Sequence, residues 1–456
     1  MNWKNVLLFS LLIILLLSLG QPIVFSYGYT SVNVSQAKEM IDLNPNLVIL
    51  DVRTQSEYDC GHIRNAKLIP VLELEERLDE LNKTDEILVY CRSGVRSYEA
   101  SQILADNAFA HVYNMLGGMT AWIDEGYPAY TKYSSIQEAI NNATEGDTIF
   151  VSSGTYYENI LVNKTVSLIG EDSLTTVIDG NQGEFVLSIT SSNITVEGFT
   201  LCNTRSNSGI IANNVTNCVF KENILSGNYY GVRLNFCTES AVLNSTFMNN
   251  RIGIMLESSP SCTVRDNRVR GNLYNGILIK NSSNCMVHTN NVMWSNYGIR
   301  IEYSNNCGIK NNEVKKTIYY GLQAFSSNSS KINNNTVSEN YHIGISIQNS
   351  INCIITQNII KNNSNYGLQI YSSDSCQSID NILDHNYQAI WLEYSNNCEI
   401  YDNEINGSSN GICMYLSEKG KVGYNLVKNN FYGLRFHSSN KCMIHGNMVK
   451  SNRYYG

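Results

Sequence analysis

The stretch that decides the fold reads GIMLESSPSCTVRDNRVRGNLYN over residues 253–275 and GILIKNSSNCMVHTNNVMWSNY over residues 276–297. Laid one above the other, the two segments agree in kind at fixed places. Ile254 and Leu256 answer Ile277 and Ile279, Cys262 answers Cys285, Val264 answers Val287, and Asn267 answers Asn290. The frame extends from Gly209 through Gly231, Gly253, Gly276, Gly298, Gly321, Gly344, Gly367, Ala389 and Gly411 to Gly433, at intervals of 22 or 23 residues. One, three and sixteen positions after each mark the residue is apolar, and eleven after it is apolar except at Ser378. Apolar residues two apart in short runs follow the period of a strand. Three short strands cannot bury an apolar face alone, but stacked units cover one another at a spacing of about 4.8 Å. The sequence therefore predicts a solenoid of parallel strands with coils of 22–23 residues.

Two ladders accompany this frame. Fourteen positions after the mark stands Asn (Asn223, Asn267, Asn290, Asn312, Asn335, Asn358, Asn381, Asn403, Asn425, Asn447), with Ser245 the one exception. Asn tolerates a left-handed turn and its amide can bond the same amide one coil on. Nine positions after the mark stand Cys218, Cys262, Cys285, Cys307, Cys353, Cys376, Cys398 and Cys442. They are in phase with inward apolar positions and read as small core residues. Stacked cysteines also lie within disulfide reach, so bridges such as Cys262–Cys285 stand as an alternative to free thiols. Thiolate ligation of a soft metal is the weaker reading, and no metal site or cofactor is expected.

The segment SIQEAINNATEGDTIFVSSGTYYENILVNKTVSLIGEDSLTTVIDG, residues 135–180, is similar to the opening of NosD-type surface proteins. From about Tyr133 onward the chain resembles the parallel β-helix repeat family of pectin-lyase-like folds. That resemblance implies a right-handed parallel β-helix whose open N-terminal end is capped by a helix at Ser134–Asn142. Residues 131–208 are then the cap and first irregular coils, and 209–456 the regular repeat. Gly456 opens a further unit with no closing helix or polar cap. A fragment of a longer chain, or a stacking partner, is expected there. The paired acids of pectin-lyase-like enzymes find no counterpart. Asp266, Asp380 and Asp402 share one row, read as a solvated turn. Tyr229, Tyr230, Tyr274, Tyr297, Tyr319, Tyr320, Tyr366 and Tyr432 cluster around the marks and suggest a surface for polysaccharide.

Lys4, the apolar run Val6–Leu19 and the break at Gly20-Gln21-Pro22 read as an export signal. Residues 1–26 are thus a signal peptide or an N-terminal anchor. The expected location is the cell surface or periplasm. With 32 basic against 40 acidic residues, net −8, the chain lacks the clustered cations that nucleic acid requires.

Residues 27–130 read differently. Strand-like runs at Leu47–Val52, Glu86–Tyr90 and His111–Asn114 alternate with helical patterns at Ser35–Leu43, Leu72–Leu81, Ser97–Asn107 and Met119–Glu125. This alternation predicts an α/β domain with a parallel sheet. Cys91-Arg92-Ser93-Gly94-Val95-Arg96 follows a strand and opens a helix. Such a loop gathers backbone N–H groups and the positive end of a helix dipole, which favour a thiolate. The reading demands that the sulfur face those amides and that the thiol not be buried.

With Asp51-Val52-Arg53, Glu57-Tyr58, Gly61-His62-Ile63, Ile69-Pro70, Gly117-Gly118, Trp122 and Gly126-Tyr127-Pro128 around that loop, the domain resembles single-domain rhodanese sulfurtransferases. The resemblance implies that Cys91 carries a sulfane sulfur as a persulfide from a small donor to a thiol or cyanide. It also implies that the amides of Arg92 to Arg96 cradle the sulfur and that Arg96 closes the loop. Asp51 and Arg53 then form a supporting ion pair, and His62 a fixed hydrogen-bonding residue. The loop is C-x4-R, one residue shorter than the C-x5-R of related phosphatases, which favours sulfur over phosphate. Cys60 is a candidate resolving thiol, or a packed one. The competing function is a non-catalytic surface protein with a vestigial rhodanese module.

Overall fold

The computed structural model describes residues 28–130, 133, 135–204 and 206–454. The signal or anchor read at 1–26 and the final mark at Gly456 lie outside the described residues. The chain divides into two compact units between Lys132 and Tyr133.

In the first unit β1 (Thr30–Val32), α1 (Val34–Leu43), β2 (Val48–Asp51), α2 (Gln55–Cys60), β3 (Lys67–Leu68), β4 (Glu86–Tyr90), α3 (Val95–Asp106), β5 (His111–Met115) and α4 (Gly118–Asp124) follow in order. The sheet runs β1-β5-β4-β2-β3, all parallel. Ile87 to Tyr90 of central β4 are wholly buried, as a strand covered on both faces must be. β1, α2 and β3 are too short to show periodicity. The helix expected at Leu72–Leu81 winds instead as a 3₁₀ segment, Val71–Glu80, broken at Arg77. Leu72 is 93% exposed and Leu74 carries most of the inward packing, so the apolar stripe is too sparse to hold an α register. Arg77 is drawn outward between Glu73 (2.8 Å) and Glu80 (2.6 Å).

The second unit is a solenoid of three parallel sheets with 13, 14 and 14 strands. A typical coil has a six-residue strand, Ile252–Glu257, then two three-residue strands, Thr263–Arg265 and Arg268–Arg270. Ile254 lies beside Ile277, and Ile277 beside Ile299, as the frame requires. The same column reaches back through Leu187 to Ile160, so the early coils differ in length but not in register. Helix α5 is Ile136–Asn142, with Ser135 as its cap accepting from Glu138 N at 3.0 Å. Gln137 donates to Leu161 O (3.2 Å) and accepts from Leu161 N (2.7 Å), satisfying backbone groups of the strand Ile160–Val162 at the sheet's edge.

The Asn ladder bonds as expected: Asn290 donates from N and Nδ2 to Asn312 Oδ1, both at 2.9 Å, and from Nδ2 to Val264 O at 3.0 Å. The left-handed conformation, however, falls one position earlier, at Asp266, Thr289, Asn311, Asp380 and Asp402. The tight turn points that residue outward while the ladder amide must turn in. Two further ladders escaped the sequence reading. Ser259, Ser282, Ser304, Ser327, Ser350, Ser373, Ser395 and Ser417 each donate from N to the serine hydroxyl one coil on. Asn340, Asn363 and Asn386 form a second amide column. All thirteen cysteines are free thiols. Cys285 donates to Ser259 O (3.3 Å) and Cys398 to Ser373 O (3.2 Å), and burial pushes the Cys262 thiol up to about 11. A stack of hydrogen-bonded thiols lying along the core is packing. Among the described residues no helix is long and apolar enough to cross a membrane.

Candidate active site

β4 delivers the chain at Tyr90 and α3 takes it up at Val95, leaving Cys91 to Gly94 as the loop between them. Gly94 is left-handed, φ +97°, which most side chains avoid. That turn aims the Gly94 N–H at Cys91 Sγ, 3.2 Å away. Tyr98 N (3.1 Å) and Ser97 Oγ (3.2 Å) donate to Gly94 O and hold the turn at the helix start. The loop's other side is tied to α4: Met119 N donates to Cys91 O (2.7 Å) and Thr120 N to Arg92 O (2.9 Å). A methyl group at Gly118 would collide with Cys91 O, so this approach requires glycine.

Cys91 itself is 1% exposed, at variance with an open thiol. The α4 amides draw the loop's base into the protein, and the sulfur lies beneath the loop it serves. Ser93 and Val95 are exposed above it, Val95 to 73%. The sulfur nonetheless faces an amide. The amide of Gly94 bonds to it, within the Arg92 to Arg96 stretch where the resemblance implied a cradle.

Arg96 closes the loop through a carboxylate. Its Nη1 and Nη2 donate to Glu57 Oε2 (2.7 Å) and Oε1 (2.8 Å). Burial pushes the Glu57 carboxyl up, but bonds from Arg96 and the Thr54 amide outweigh it and leave it below the usual carboxylate range. Asp51 and Arg53 are both wholly buried. Arg53 Nη2 donates to Asp51 Oδ2 and to Gly61 O, each at 2.6 Å, joining β2 to the end of α2. His62 stacks on Tyr58, ring centroids 3.8 Å apart, with Nδ1 2.8 Å from Tyr58 O, and burial lowers its pKa. These three residues support the loop's surroundings and none is recorded touching the sulfur. Cys60 is wholly buried at the end of α2. The structure thus brings Cys91, Gly94 and Arg96 together, and adds Glu57, Met119 and Thr120, to which the sequence reading gave no role. Thr54-x-x-Glu57 is a capping box, and that was the available signal.

The Rhodanese-like domain family matches residues 33–125, and the right handed beta helix region matches residues 184–337, 263–405 and 324–456. The chain belongs to the rhodanese-like domain family through its first unit, followed by a right-handed β-helix. Thiosulfate sulfurtransferase 18 of Arabidopsis thaliana is 36% identical over 116 residues, 22% of this chain and 84% of that protein. The putative sulfur carrier protein YrkF of Bacillus subtilis is 38% identical over 91 residues, 20% of this chain. The match spans 49% of YrkF's own length. For the solenoid, the A-module of the mannuronan C-5 epimerase AlgE6 of Azotobacter vinelandii is 15% identical at a TM-score of 0.48, covering 69% of this chain and 94% of that one.

On the β-helix, of the tyrosines around the marks, Tyr274 and Tyr319 are exposed. Tyr229, Tyr230, Tyr297, Tyr320, Tyr366 and Tyr432 are half-buried. Arg251 lies over Tyr229 (4.8 Å) and Tyr274 (4.6 Å), and Arg300 over Tyr297 (4.7 Å). Cation–π packing occupies one face of each of these three rings. A further aromatic group is exposed elsewhere: Tyr371 and Tyr394 meet edge to face at 5.8 Å, beside Gln369 and Trp391 on the long-strand sheet.

Proposed function

We propose that the first unit is a sulfurtransferase working through a Cys91 persulfide, and that the β-helix binds polysaccharide. The observation that carries the first half is the Gly94 N–H directed at Cys91 Sγ in a C-x4-R loop at a helix start. The chemistry balances without a cofactor. The Cys91 thiolate attacks the outer sulfur of a donor such as thiosulfate; the donor's S–S bond breaks and sulfite leaves with the bonding pair. The Gly94 N–H supports the persulfide. An acceptor thiolate, or cyanide, then attacks the outer sulfur and Cys91 leaves as thiolate. Incubating the full chain with thiosulfate should add the mass of one sulfur atom to the peptide containing Cys91 and release one sulfite. The burial of Cys91 favours a second reading, a binding module without turnover; an unmodified Cys91 peptide would establish it.

Polysaccharide binding rests on the patch of Gln369, Tyr371, Trp391 and Tyr394, where rings offer apolar faces and Gln369 and Glu393, which accepts from Trp391 Nε1 at 3.2 Å, offer hydrogen-bonding groups. Titration with a neutral dextran should quench tryptophan fluorescence in the full chain and not in Trp391→Phe; equal quenching in both would remove this assignment. Export rests on the Val6–Leu19 run alone, and N-terminal sequencing of protein from the secreted fraction tests it.

A further inference from the structure

Resting on the sulfurtransferase reading, we infer that Glu57 is a positioning residue that sets the charge of the sulfur donor the loop accepts. Its carboxylate grips Arg96 in two parallel bonds, and its side chain is 5% exposed against 31% for Arg96. The geometry is set from the Glu57 side. Thr54 N (3.1 Å) and Thr54 Oγ1 (3.2 Å) both donate to Glu57 Oε2, so the start of α2 fixes the carboxylate before Arg96 arrives. Arg96 is thereby turned toward α2 and its charge is cancelled at contact distance. The Glu57 bonds hold the guanidinium protonated, and Arg96 sits in the first turn of the helix that the Cys91 loop opens.

The consequence concerns the part of the donor that does not react. When the outer sulfur of thiosulfate meets Cys91, its sulfonate end must lie near the loop. An unpaired Arg96 would attract that end; an Arg96 neutralised by Glu57 leaves only Arg92 and the amide dipoles of the loop to do so. Glu57 therefore holds the site toward donors of low charge. Removing its charge at constant size exposes about one positive charge beside the loop, and removing Arg96 exposes one negative charge. At separations of several ångströms near a protein surface, one charge changes binding of an anion by about ten-fold. A merely structural pair would move all donors alike.

The test is the ratio of kcat/KM for thiosulfate, a dianion, to that for dimethyl trisulfide, a neutral sulfane donor, with cyanide as acceptor. In Glu57→Gln the ratio should rise about ten-fold, and in Arg96→Gln fall about ten-fold, whatever happens to the absolute rates. Glu57→Asp keeps the charge and should hold the ratio within about two-fold of wild type even if both rates drop. A ratio that stays put in both Gln variants, or moves the same way in both, overturns the inference. If Glu57→Gln yields no folded protein, the sign of the Arg96→Gln shift decides. If the wild-type chain transfers sulfur from neither donor, the sulfurtransferase reading falls and takes this inference with it. Transfer by the wild type with an unmoved ratio defeats the inference alone.

Discussion

Replacing Cys91 by serine lowers kcat/KM for thiosulfate:cyanide transfer by at least about 1000-fold, because the step needs a sulfur nucleophile that can carry a second sulfur. A serine hydroxyl is nearly the same size and still accepts from the Gly94 N–H, which lies 3.2 Å from the sulfur it replaces. The anchors from Met119 N to Cys91 O and Thr120 N to Arg92 O use backbone oxygens and are untouched. Cys91 packs in a cluster with Leu50, Val89, Ala100 and Leu104, so the hydroxyl costs about 1 kcal/mol there. Thiocyanate formation measures the rate, and urea unfolding of the same sample shows whether the fold survives. A folded Cys91→Ser chain that still transfers sulfur at more than about one-tenth of the wild-type rate would place the nucleophile on another thiol.

The second large effect falls on the solenoid. Asn358 is wholly buried and its amide serves five bonds. Nδ2 donates to Ile332 O (2.9 Å), Thr356 O (3.0 Å) and Asn381 Oδ1 (2.9 Å), and Oδ1 accepts from Asn335 N and Nδ2, both at 3.0 Å. Leucine fills the space but strands the partners on both sides. At about 1–3 kcal/mol for each buried group left unpaired, Asn358→Leu should cost roughly 4 kcal/mol or more. Since each coil is held by its neighbours, a break in mid-stack should also split one unfolding transition into two. The natural exception supplies the comparison. Ser245 occupies the same column, accepts from Asn223 N at 3.1 Å and donates to Leu243 O at 2.7 Å. Asn358→Ser should therefore cost about half as much. Circular dichroism through a urea titration gives both values; a loss under about 1 kcal/mol for Asn358→Leu would mean the ladder contributes little.

How much of this was legible varies with the distance over which each interaction is made. The coil frame could be read because inward positions such as Ile254, Leu256, Val264 and Val269 must be apolar in every unit, and repetition turns that requirement into a period. The thiol site could be read because Cys91 to Arg96 are contiguous and lie between a recognisable strand and helix. The serine ladder was missed because serine is common in turns, and only stacking shows that Ser282 N donates to Ser304 Oγ. The left-handed turn was assigned one residue late because Asp266 and Asn267 both suit such a turn, and a pattern of residue types does not say which one faces inward.

By itself, then, the sequence determined the stacked-coil architecture, the α/β character of the first unit and the position of the candidate cysteine at a strand-to-helix loop. Each follows from local periodicity or from neighbours along the chain. Tertiary structure alone decided that Cys91 lies beneath its loop, that α4 amides hold that loop, and that Arg96 is spoken for by Glu57. The reason is that these partners are far apart in sequence, as with Glu57 on α2 and Arg96 on α3, 39 positions apart, and only tertiary packing brings them within hydrogen-bond range.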